Sequence, residues 1–324
     1  MRNRVLTAAL LLSMVVLILD SRSAADSAWD ALKLCGQVLV PSLFPLFVLS
    51  AMVVPRITEI RLPFLARLLG MPDGSEGLFL LGCTGGFPLG AVCIAQAAAD
   101  GGLDKKAAER MLGLCSLCGP AFLFGILPRV IAMEYVLALF LIQLETAIVL
   151  AAFWPDPAEG AYTPAIKAVS LPTAVQRAIS SMISVCGWVT LAGVAAGFLR
   201  RWLFPLLPEG ASLLLTGLLE LSNGIFSLPG AEPALTFFLS TIFVCFGGIS
   251  VLLQIGGAAG SAGLGMGQCI AQKGVHGLLG AVLAAAYLHF GRWILFVIPA
   301  ILFAKITLEI PGQMVYNNRR KEGI

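Results

Sequence analysis

The stretch Gly82-Cys83-Thr84-Gly85-Gly86-Phe87-Pro88-Leu89-Gly90-Ala91 lies inside an apolar run from about Leu78 to Ala99, long enough to cross a bilayer. Yet its middle is made of residues that weaken a helix. Glycine has backbone freedom to lose, and Pro88 has no amide to donate. In hydrocarbon an unpaired backbone group costs several kcal/mol, so irregular backbone survives there only where protein or a water-filled cavity satisfies it. A second such stretch, Phe243-Val244-Cys245-Phe246-Gly247-Gly248-Ile249-Ser250-Val251, lies in the run from about Leu235 to Ile255. Both read Cys-x-Gly-Gly followed by a large apolar residue. One such motif alone is read most simply as close packing between helices. A pair of interrupted apolar segments in two halves of a chain points instead to a site at a repeat interface.

The rest of the chain supports a membrane setting. Of 324 residues 58% are hydrophobic and 12% charged, against roughly 25% charged in a soluble domain. The mean hydropathy is +0.93. Short alternating segments of a transmembrane barrel are absent from the pattern. The expected fold is all-α: a polytopic membrane bundle of about 8–10 apolar segments, two of them broken or re-entrant, with an internal, inverted repeat. The formal net charge is +3, and the basic residues sit near segment ends, as Arg56, Arg61, Arg67, Arg200 and Arg201 do. That is the placement of membrane orientation signals and not of a nucleic-acid patch. The eight cysteines form no disulfide framework, and Cys115-x-x-Cys118 has no second pair to make a metal site.

Residues 1–29 form a first helix. Its basic start and Ser23-Ala24-Ala25 resemble a cleavable signal; because everything downstream reads as membrane-embedded, an uncleaved helix is preferred. Residues 30–153 form a first half. It contains a helix kinked by Pro41 and Pro45, an interfacial stretch from Arg56 to Gly70, the first broken segment, a further break at Cys118-Gly119-Pro120, and a run holding Glu134 and Glu145. Residues 154–173 are the proline-rich linker, residues 174–310 a second half and residues 311–324 a basic tail. In the repeat, Cys83-Thr84-Gly85-Gly86 aligns with Cys245-Phe246-Gly247-Gly248. The tract from Gly256 to Gly267 is expected to be irregular or very closely packed.

Five motifs in order carry a family resemblance: Leu43-Phe44-Pro45-Leu46-Phe47, Gly85-Gly86-Phe87-Pro88-Leu89-Gly90-Ala91, Cys118-Gly119-Pro120-Ala121-Phe122, Leu219-Glu220-Leu221-Ser222-Asn223-Gly224 and Gly247-Gly248-Ile249-Ser250-Val251-Leu252-Leu253-Gln254. Together they resemble the sporulation integral membrane proteins of the YlbJ type, within the nucleoside-recognition or Gate-domain group. That group is distantly similar to concentrative nucleoside transporters and to the membrane part of ferrous-iron transporters. The resemblance covers about residues 30 to 300. It implies a multi-pass protein of the cell membrane in a spore former and a role in spore cortex formation. One departure is Ser116-Leu117-Cys118, where the family pattern is more polar.

The site expected from these readings consists of Gly85, Gly86, Pro88, Glu220, Asn223, Gly247, Gly248 and Gln254. A carboxylate in an apolar run is costly, so Glu220 either faces a cavity or marks a helix end at the interface, with Gly224 as its cap. Gln254 offers an amide either to a ligand or to a neighbouring helix. Glu145 and Glu134 read as interfacial, and His276 and His289 as packing or interfacial residues. No nucleophile elbow, phosphate loop or zinc-protease motif is present, so no enzyme and no cofactor is implied. The expected partners are the lipid bilayer, a small polar solute (nucleoside-like or an ion), a coupling ion and, in a homo-oligomer, further copies of the chain. The expected function is that of a transporter or permease; the alternative is a non-transporting scaffold in spore envelope assembly.

Overall fold

The computed structural model describes residues 2–57, 60–155, 160–162 and 169–301. Among these residues every regular element is helical, beside one isolated bridge between Asp73 and Ala161. Five stretches are long and apolar enough to cross a membrane: Ser21–Val53, Met133–Phe153, Leu171–Trp202, Pro233–Ser261 and Gly267–Ile301. Three shorter apolar helices join them: Arg4–Leu19, Leu89–Ala99 and Glu209–Leu219. Large apolar side chains such as Ile183, Leu191, Leu278 and Val282 stand exposed on the outside. Helices apolar on both their inner and outer faces belong in lipid, and the chain is a multi-pass helical membrane protein.

Helix α1 (Arg2–Leu19) gives way at Asp20 to α2 (Ser21–Leu34), which passes through a π-type turn at Cys35–Leu39 into α3 (Val40–Ile57). The wide turn comes just before Pro41. A proline donates no amide and its ring crowds the carbonyl four residues back, and a local widening relieves both. The prolines therefore bend the crossing without ending it. The short α4 (Pro63–Leu69) closes on Gly70 in the left-handed conformation. Next, α5 (Glu76–Gly85) and α6 (Leu89–Ala99) do not continue one another. The chain turns at Gly86 (φ 71°, ψ −171°), and a Cβ on Gly90 would stand 3.1 Å from the Gly82 Cα. The two arms pack backbone to backbone as a re-entrant hairpin. After it, α7 (Lys105–Leu114) begins on a side-chain cap: the Asp104 carboxylate accepts the Lys106 and Ala107 amides at 2.8 and 3.3 Å. The stretch Cys115–Gly119 separates α7 from α8 (Pro120–Gly125), and α9 (Met133–Phe153) completes the set.

The second half repeats this order. A crossing helix, α10 (Leu171–Trp202), is followed by a hairpin of α11 (Glu209–Leu219) and α12 (Leu221–Phe226). The hairpin turns at Glu220, whose backbone is extended (φ −153°, ψ 128°), and Gly224 sits so tightly on Gly217 that a Cβ there would collide with the Gly217 Cα. Then α13 (Pro233–Phe246) and α14 (Ile249–Ser261) form one crossing, interrupted at Gly247 and Gly248 with φ of 90° and 88°. The last described crossing is α15 (Gly267–Phe290).

The two halves run in opposite senses. Buried Arg110, midway along α7, donates to carbonyls at the end of α4 (Leu69, Gly70) and the end of α9 (Ala151, Trp154, Pro155). Its neighbour Glu109 accepts the Gly265 amide at 2.8 Å, beyond α14, and Gln272 near the start of α15 donates to the Arg110 carbonyl at 2.9 Å. These ends share one face of the bundle. At the opposite face Arg201, ending α10, pairs with Asp20 (3.2 Å) and Ser23 (2.7 Å) beside the start of α2. There too Tyr135, at the start of α9, meets the rings of Phe237 and Tyr287. The α5–α6 hairpin follows α4 and so enters from the Arg110 face. The α11–α12 hairpin follows α10 and enters from the Arg201 face.

This arrangement corrects one expected alignment. Gly85-Gly86 turns a hairpin tip, whereas Gly247-Gly248 interrupts a crossing. The counterpart of the first tip is Glu220, and the counterpart of the second glycine pair is Cys115–Gly119. Glycine serves either purpose, because both need backbone outside the helical region. A second correction concerns the glycine-rich tract, which stays helical to Ser261. Half of the expected linker and all of the basic tail lie outside the described residues.

A glycine seam joins the halves. Gly193 and Gly197 of α10 face Ala31 and Ser27 of α2, and a Cβ on Gly193 would stand 2.9 Å from the Ala31 Cβ. Small residues four apart let the two backbones approach, as helix pairs in lipid require.

Candidate solute site

The four interruptions are packed against each other in pairs. In the first half Gly86 lies on Gly119, where a Cβ would stand 2.6 Å from the Gly119 nitrogen. In the second half Gly248 lies on Glu220, with a prospective Cβ 3.3 Å from the Glu220 Cα. Phe87 joins the pairs, since a Cβ on Gly247 would meet its Cζ at 3.1 Å. Phe87 also packs against both apolar cores, the one near the Arg110 face and the one around Phe237 and Phe243.

Between the pairs is a cavity of about 50 Å³. The first half lines it with Gly85, Gly86 and Phe87 of the hairpin tip and with Cys118 and Gly119 of the break. The second half contributes Glu220, Leu221 and Ser222 of its tip and Val251 and Gln254 of α14. Leu43 and Phe47 of α3, with Val185 and Val189 of α10, close the sides. Equivalent elements of the two halves thus face each other across one hollow.

Each break must satisfy the backbone groups a helix would have paired. The Gln143 side chain of α9 does this for Cys118, accepting its amide (3.1 Å) and donating to its carbonyl (3.0 Å). The Lys273 Nζ of α15 donates to the Ser116 carbonyl at 3.0 Å and lies 5.0 Å from the centroid of the Phe87 ring. His276, one turn further on, bonds the Gln143 carbonyl at 3.2 Å. At the second tip the Glu220 carboxylate accepts the Ser222 and Asn223 amides at 2.9 and 2.7 Å, capping α12.

Of the eight residues expected from the sequence, Gly85, Gly86, Glu220 and Gln254 line the cavity. The other four stand behind it. Pro88 precedes α6 as its N-cap, and Gly247 and Gly248 provide the close approaches to Phe87 and Glu220. Asn223 turns away: its Nδ2 donates to the Val189 carbonyl at 3.2 Å and ties α12 to α10. Glu220 is buried at an N-terminal turn, so the interfacial alternative with Gly224 as a C-cap does not apply; Gly224 lies within α12. Gln254 Oε1 is buried without a partner among the described residues. Thr84 donates to the Leu80 carbonyl at 2.8 Å, while the Ser250 hydroxyl has no partner among the described residues. Glu145, expected at the interface, is buried instead.

Lys273, Gln143 and Gln272 were not singled out by the sequence. Lys273 stands near the start of the apolar helix α15, where a lysine reads as an interfacial anchor. The signal for Gln143 was an uncharged amide inside a crossing of 21 residues. Comparison with protein-family models, with curated proteins and with solved structures returns no match.

Proposed function

We propose that this chain is a secondary transporter or permease-like protein for a small polar solute, and that the solute passes between the two hairpin tips. The observation that carries the reading is the convergence of the helix interruptions of both halves on one hollow, into whose largely apolar lining Glu220, Ser222 and Gln254 bring polar groups. Broken helices place bare backbone and uncompensated helix ends where a solute can use them. A scaffold without a solute path has no need of such a hollow, and a fully packed centre would suit it better.

The hollow is small. A water molecule needs about 10–15 Å³ of such space, so 50 Å³ holds a few waters or one ion. A nucleoside-sized solute would enter only after the tips part. The conformation is therefore read as the closed one. The order of the five sequence motifs, from Leu43 to Gln254, supports a place in spore cortex formation on the same footing.

Uptake into proteoliposomes tests the reading, with sodium, choline, glycine and uridine as tracers. The parent chain should accumulate at least one of them, and Glu220→Gln should lose most of that uptake. A Glu220→Gln chain that carries the tracer as the parent does would remove Glu220 from the path. A folded parent that carries none of the four would count against transport itself.

A further inference from the structure

Lys273 is not used by the reading above. It is wholly buried on α15, and among the described residues no carboxylate lies within ion-pair distance of it. Its two contacts, the Ser116 carbonyl and the face of Phe87, both belong to interruptions of the first half. Phe87 is itself a wall of the cavity. A positive charge therefore stands one ring behind the first-half wall. Across the hollow, the second-half wall presents acceptors: the Glu220 carboxylate and the unpartnered Oε1 of Gln254. In an apolar interior such charges are weakly screened, and an ammonium without a counter-charge is costly to keep. The hollow is therefore asymmetric: a lysine stands behind its first-half wall, and a carboxyl group and an amide oxygen form its second-half wall.

Resting on the transport reading, we infer that the solute is a small zwitterion of the amino-acid class, its carboxylate turned toward Lys273 and its ammonium toward Gln254 and Glu220. A simple cation is repelled from the Lys273 side. A simple anion is repelled by Glu220. A molecule bearing both signs a few bonds apart is favoured at both walls. Lys273 acts across the Phe87 ring without touching the solute, so it is a positioning residue that sets charge preference.

The test measures uptake of labelled glycine, choline and acetate side by side in proteoliposomes of the full chain. The parent should prefer glycine over either single-charge probe by about tenfold or more. Lys273→Gln should collapse the glycine-to-choline ratio by about tenfold, and Lys273→Arg should keep it. The ratio is read within each variant, so a lower yield of folded protein cannot mimic the change. If Lys273→Gln does not fold, the ratios of the parent and of Lys273→Arg decide. A parent that carries choline or acetate as well as glycine overturns the inference, and so does a folded Lys273→Gln chain with the parent's preference. Uptake of choline or sodium alone, abolished by Glu220→Gln, overturns the zwitterion while leaving transport standing. Failure to carry glycine, sodium, choline and uridine alike overturns both.

Discussion

Single side chains keep the interruptions stable in an apolar interior. Gln143 stands in for the two hydrogen bonds that Cys118 would have made in an unbroken helix. Its replacement by leucine leaves a buried amide and a buried carbonyl without partners, at about 1–3 kcal/mol for each. Gln143→Leu should therefore lower the thermal unfolding midpoint in detergent clearly. An unchanged midpoint would mean that the stretch Cys115–Gly119 finds other partners. Glu220 has two duties, as the cap of α12 and as a wall of the hollow. The two separate in Glu220→Asp, which shortens the reach to the amides by one methylene. Asp104 caps α7 through the same two amide positions, so that variant should keep a parent-like midpoint while its uptake falls, and a clearly lower midpoint would show that the cap needs the longer side chain. These assignments were only half legible in the sequence. A carboxylate in an apolar run attracts notice by its cost, so Glu220 was found. Lys273 escaped because a lysine near the end of a run has a cheap explanation at the interface, and only the fold shows that it lies on the buried face of α15, with Cys269, Gln272 and His276.

Elements were more legible than their partners. The apolar runs gave the crossings, and glycine with proline marked where they break, because those signals are local. Which break faces which is not local. Two matching Cys-x-Gly-Gly segments suggested equivalence, yet one is a hairpin tip and the other a mid-crossing interruption. The α2–α10 seam makes the same point, since Gly193 and Gly197 matter only once Ala31 and Ser27 are known to oppose them. Gly193→Leu should pry the two helices apart and lower the unfolding midpoint, by about 1–3 kcal/mol for an overpacked contact. Gly187, with no atom within 4 Å of a prospective Cβ, serves as the control: Gly187→Leu on the same helix should be close to neutral. Equal effects at the two positions would mean that helix propensity, not the seam, is being measured.

The whole molecule is two sets of like elements, each made of a crossing, a re-entrant hairpin, an interrupted crossing and a plain one, inserted with opposite sense. The opposite sense fixes where loops emerge. Exposed Asp100 follows the first hairpin at the Arg110 face, and exposed Glu232 follows the second at the other face. In sealed vesicles an impermeant maleimide should label Asp100→Cys and Glu232→Cys from opposite sides, above the background of the native cysteines. Labelling of both from one side would refute the antiparallel arrangement.

Because one half is an upended copy of the other, each has within reach the shape its counterpart already holds. On the transport reading proposed above, neither half favours one compartment by its build, so net direction would come from the gradients outside.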